Sequence, residues 1–130
     1  MNHPTTGNPE IDDGHERIQA LLEKLRYNPE NIEEVVQELA ASFRAHCRDE
    51  EALMRVRKFR GLKAHAAEHR AITAHFSEGL LGEILGAGSH DEVLKAVDRG
   101  SQMLMDHIQC RDFELALHLA RKPVRGKPGK

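Results

Sequence analysis

Apolar residues recur along this chain at spacings of three and four and almost nowhere at two, so the pattern predicts amphipathic helices and no sheet. Ile18, Leu21, Leu22 and Leu25 share one face of a first helix, expected from about Asp12 to Arg26 and broken by YNPEN at 27–31. Asn31 with Glu34 reads as a capping box. Behind it Ile32, Val35, Val36, Leu39, Phe43, His46, Cys47, Glu50, Leu53 and Met54 lie on one long stripe. KFRG turns the chain into a third helix, about 62 to 85, where Leu62, His65, His69, Ile72, Phe76 and Leu80 step by threes and fours. After GAGS, a second capping box, Ser89 with Glu92, opens a fourth helix over about 90 to 120. Four helices with short connections predict an all-α, up-down-up-down four-helix bundle. The domain is expected over residues 1–121, and RKPVRGKPGK leads into a basic flexible tail at 122–130.

Length changes the picture only by limiting it: 130 residues make one domain with a real core. A net charge of −2, with 31% charged residues spread along the chain, provides no field for nucleic acid or an anionic membrane. The basic end lacks the aromatics and basic helix face of a nucleic-acid arm. No run reaches the length of a membrane span, and MNHPTTGNPE lacks the regions of a signal peptide. Two cysteines, Cys47 and Cys110, are too few for a disulfide framework, so the expected compartment is the cytoplasm and the expected partner is a small ligand.

The chemistry sits inside the apolar stripes. His46 and Glu50, and likewise His65 and His69, are four residues apart, so each pair stands on one helix face and can grip one ion. A pair of this kind on a polar face would be a solvated surface feature; both of these lie where a core is expected. A buried unpaired carboxylate costs several kcal/mol, roughly, unless it is neutralised, hydrogen-bonded or metal-bound. The fourth helix adds DHIQCRD, in which His107 and Asp112 are about 140° apart on a regular helix. They flank the seam through Leu104, Arg111 and Leu115, so both reach the bundle centre only if one stretches or the helix is locally distorted. IDDGH offers His15 in the first helix. Five histidines and two carboxylates can thus converge on one level of the bundle.

The segments IDDGH at 11–15, HCRDEEALM at 46–54, HAAEH at 65–69 and HIQCRD at 107–112 resemble the hemerythrin family, especially its short bacterial members. The resemblance runs from about residue 11 to 117 and fills all seven ligand positions of the family pattern in order. It implies a bundle around two non-haem iron ions bridged by an oxo or hydroxo group and by Glu50 and Asp112. One iron would be held by His65, His69 and His107, the other by His15 and His46. The iron with two histidines keeps an open position, where the family binds dioxygen.

The chain departs from that pattern where the family places bulky aromatics, with Cys47 and Met103 instead. Together with Ile18, Leu104 and Ile108 they are expected to wall the ligand pocket, with Cys47 beside the open iron. Smaller, oxidisable residues there suggest a more reactive pocket. Cys110 is expected to pack at a helix interface, and His3, His75, His90 and His118 to lie at the surface or its edge. The leading function is reversible dioxygen binding for storage, delivery or sensing, with dioxygen or another small diatomic or anionic ligand as partner. The alternative is a di-iron enzyme reducing peroxide, dioxygen or nitric oxide. Zinc without gas chemistry is disfavoured, because zinc prefers four ligands and usually more thiolate.

Overall fold

The structure is a computed structural model that describes residues 8–27 and 31–121. The tail at 122–130 and His3 lie outside the described residues. Four rods form the bundle. The first is α1 (Pro9–Tyr27). It begins earlier than the apolar pattern suggested, because Asn8 Oδ1 accepts the Ile11 N–H at 3.2 Å and Pro9 occupies the first helical position. An Asn cap followed by proline needs no apolar residue to start a helix.

The second rod is α2 (Ile32–Val56), preceded by Asn31 in a left-handed conformation, φ 58°. The Asn31 side chain makes no cap bond, so the Asn31–Glu34 capping box is not formed; asparagine serves the turn here through its tolerance of positive φ. The other end closes with a Schellman motif. Phe59 N–H donates to the Met54 carbonyl at 2.9 Å and Lys58 N–H to that of Arg55 at 3.2 Å, with Lys58 left-handed at φ 54°. Phe59 packs with Met54 in one apolar cluster, the contact that motif favours.

The third rod is α3 (Leu62–Ala74), a π-helical turn (His75–Gly79) and α4 (Leu80–Leu85). The fourth is α5 (His90–His107), a second π turn (Ile108–Asp112) and α6 (Phe113–Ala120). The Ser89 cap forms, its hydroxyl accepting the Glu92 N–H at 3.3 Å, while the Glu92 carboxylate takes the Gly88 N–H. Among the described residues there is no strand.

The rods alternate in direction; α1 lies against α2 and α5, and α2 packs on α3 and α4. Two apolar clusters fill the interior. The larger contains Ile18, Leu22, Phe43, Phe76 and Leu104; the smaller contains Ile11, Met54, Phe59 and Leu115. Phe43 and Phe76 meet edge to face, ring centroids 5.3 Å apart. Each such side chain stabilises the fold by about 1.5–3 kcal/mol on burial. The buried polar residues His15, His46, Glu50, His65, His69, His107 and Asp112 are contributed by all four rods.

Candidate metal centre

All seven residues singled out from the sequence meet. Their donor atoms form two groups, each with every atom within 4.8 Å of the others: Glu50, His65, His69, His107 and Asp112; and His15, His46, Glu50 and Asp112. Helix periodicity delivers the first six, since 46 and 50, and 65 and 69, are one turn apart on α2 and α3. Asp112 is delivered by the π turn. Its wider i→i+5 bonding holds one extra residue, which brings positions five apart to the same side, and His107 Nε2 lies 2.9 Å from Asp112 Oδ1.

Every imidazole turns Nε2 inward. His15 Nε2 lies 2.5 Å from Asp112 Oδ2, and His65 Nε2 is 2.8 Å from both Glu50 Oε1 and Asp112 Oδ1. His69 Nε2 is 3.0 Å from Glu50 Oε1 and His46 Nε2 is 3.1 Å from Glu50 Oε2. Proximity is not alignment, however. His46 Nε2, Glu50 Oε2, His107 Nε2 and Asp112 Oδ1 are buried yet have no hydrogen bond of acceptable geometry. These unpartnered donor atoms belong to residues of the two close-packed groups, as ligands of a common cation would. Imidazole nitrogen and carboxylate oxygen without thiolate make a donor set that suits a first-row transition metal, iron among them.

The electrostatics agree with a site built for positive charge. Burial alone would raise the Glu50 carboxyl, but contacts from His46, His65 and His69 outweigh it and hold it down to about 2. Asp112 lies well below the usual carboxylate range against the same burial penalty, through His107, His15 and His65. Burial likewise opposes charge on His65, yet Asp112 and Glu50 lift it to about 9; His46 is raised in the same way by Glu50.

Outward-facing nitrogens are held by residues that the sequence pattern did not reveal. His69 Nδ1 lies 2.8 Å from Glu51 Oε2, and His107 Nδ1 lies 2.7 Å from Glu68 Oε1, whose other oxygen accepts from Arg111 Nε at 3.2 Å. A carboxylate on Nδ1 fixes the proton there and leaves the Nε2 lone pair pointing inward. Neither acid neighbours its histidine in sequence, Glu51 standing 18 residues from His69 and Glu68 39 from His107, so sequence alone cannot separate them from surface charge.

The five residues expected to wall the pocket share one apolar cluster. Ile18, Leu104 and Ile108 are fully buried in the larger cluster, and Met103 packs against its edge. Cys47 is buried in that cluster and also lines a groove of about 480 Å³ between α2 and the third rod, with His69 and Thr73. One residue beyond His46 is about 100° further round the helix, which turns it towards α3. Burial pushes its thiol pKa upward, with Glu50 and Glu51 adding to the effect. A cleft of about 460 Å³ between α1 and α2 is lined by His46 and Glu50, whose inward donor atoms His46 Nε2 and Glu50 Oε2 stay buried. Cys110 is exposed rather than packed at an interface, and both cysteines are free. His90 is exposed, as expected; His75 is half-buried, and half-buried His118 donates to the Arg57 carbonyl at 2.9 Å.

A helical bundle enclosing such a cluster is a cation-binding domain. The family model described as the hemerythrin HHE cation binding domain matches residues 6–118, and the chain belongs to the hemerythrin family. Neither the comparison with curated proteins nor that with solved structures gives a match. Among the described residues no helix is long and apolar enough to cross a membrane.

Proposed function

We propose that this protein is a non-haem di-iron protein that binds dioxygen reversibly, for storage, delivery or sensing. The observation that carries the reading is that the two donor groups overlap in Glu50 and Asp112 alone. Two carboxylates common to both groups suit a pair of ions, with His65, His69 and His107 on one and His15 and His46 on the other. When bound, a reduced iron pair supplies two electrons and, on the side with fewer histidines, an open coordination position. The chain's own residues do the rest. Glu51 and Glu68 orient His69 and His107 through their Nδ1 protons. Phe43, edge to face on His69 at 6.0 Å, joins Ile18, Leu104 and Ile108 in excluding water from the apolar side. The α1–α2 cleft admits a small diatomic or anionic ligand at His46. Two free thiols accord with a cytoplasmic protein.

A second reading, a di-iron enzyme reducing peroxide, dioxygen or nitric oxide, draws on the same cleft, which borders His46 and Glu50. Anaerobic loading with ferrous iron followed by oxygen titration, watched by absorption, separates them. Two irons per chain and a spectrum reversed by deoxygenation are expected; rapid one-way oxidation supports the enzyme. Native protein holding a single zinc and no iron overturns both.

A further inference from the structure

Gly14 stands inside α1, where glycine costs a helix about 1 kcal/mol relative to alanine. The reason for tolerating that cost lies across the interface with α2. A Cβ at position 14 would lie 2.3 Å from His46 Nδ1, 3.0 Å from Cε1 and 3.2 Å from Cγ. Even the smallest side chain cannot coexist with the ring where it stands. His46 is also the imidazole with least support around it. His69 and His107 have carboxylates on Nδ1, and His15 and His65 are fully buried. His46 is 9% exposed, the most of the five, with one flank on the α1 backbone at Gly14 and the cleft beside it.

We propose that Gly14 is a positioning residue for His46: its missing side chain sets where the ring lies, and the two-histidine half of the centre depends on that contact. The inference rests on the two-metal reading above. A methyl group at position 14 has an outlet, since the cleft gives the ring space to swing outward without parting the helices. His46 Nε2 then leaves Glu50 Oε2, while His65, His69 and His107, on the other two rods, keep their places. The consequences for fold and metal therefore have opposite signs. Alanine improves the helix, and metal binding by one half of the centre is lost.

The test is Gly14→Ala. Metal-free wild type and variant are titrated anaerobically with Co²⁺, with competing chelator and visible absorption as the readout. Wild type is expected to take up two equivalents; the variant is expected to keep the first and bind the second at least tenfold more weakly. Metal-free variant should unfold at the same or a higher denaturant concentration. Its His46 should also react faster with diethyl pyrocarbonate, followed by peptide mass, as the ring moves into the cleft. Equal affinity for both equivalents in the two proteins, an unchanged His46 reaction rate, or a metal-free variant that fails to fold overturns the role of Gly14 and leaves the two-metal reading standing. Fewer than two equivalents in wild type overturns that reading, and this inference with it.

Discussion

Replacing Glu68 should weaken the metal centre without touching a ligand. Glu68 accepts from His107 Nδ1 at 2.7 Å and from Arg111 Nε at 3.2 Å, and these contacts hold its carboxyl below the ordinary range against the cost of partial burial. Loss of a group that orients a ligating imidazole costs roughly 10–100-fold in metal affinity, about 1.4–2.7 kcal/mol. Glu68→Gln keeps an oxygen at the right place for His107 but removes the charge, so it belongs near the tenfold end; the side chain is 35% exposed, and solvent screens part of that charge. Glu68→Ala removes the acceptor as well, freeing the ring to rotate and leaving Arg111 without its partner, and belongs nearer the hundredfold end. Each protein would be titrated with Co²⁺ against a chelator of known affinity. Denaturant unfolding of the metal-free forms would check that both variants fold. Wild-type affinity in both variants, or a larger loss for glutamine than for alanine, would refute the assignment of Glu68 to holding His107.

Two further outcomes are expected. For metal-free protein, His65, raised from 6.5 to about 9, contributes stability that is full below pH 6.5 and is lost as pH rises through about 9; Glu50, lowered from 4.5 to about 2, contributes stability present above 4.5 and lost as pH falls through about 2. Urea midpoints should therefore be highest between about pH 4.5 and 6.5, and a midpoint unchanged from pH 6.5 to 9 would contradict the contact of His65 with its two carboxylates. Lys58→Gly should stabilise the fold by about 1 kcal/mol, because the left-handed backbone at φ 54° costs a lysine what it does not cost glycine; an unchanged or lower denaturation midpoint would count against that strain.

Much of the bundle and its polar layer was legible because helix periodicity is a property of single segments. His46, Glu50, His65 and His69 could be placed on apolar stripes by counting. What depends on contacts between segments was not. Asn31 has the residue type of a cap, but its left-handed backbone turns the side chain away from the role that type suggests. Cys110 lies within the π turn, where regular helix angles no longer apply, and it is exposed. The groove that Cys47 lines was hidden for a related reason, since it is made as much by Thr73 and Ser77 of the third rod as by α2. Gly14 looked like a weak point in a helix, and only the ring lying across from it gives the missing side chain a purpose.

The π turn at Ile108–Asp112 has a consequence for how this segment can change over time. Gln109 and Cys110 are exposed, and substitution at either alters no side chain of the centre. Deleting either one would remove the extra residue and let α5 and α6 join as a regular helix, with the His107 and Asp112 side chains four positions apart, about 40° round the helix and still on one side. Leu115 and Ala116 would keep their register against Met54 and Phe59. At unchanged length, by contrast, straightening the segment into a regular helix would put Asp112 about 140° from His107, so the turn and its extra residue are kept or lost together.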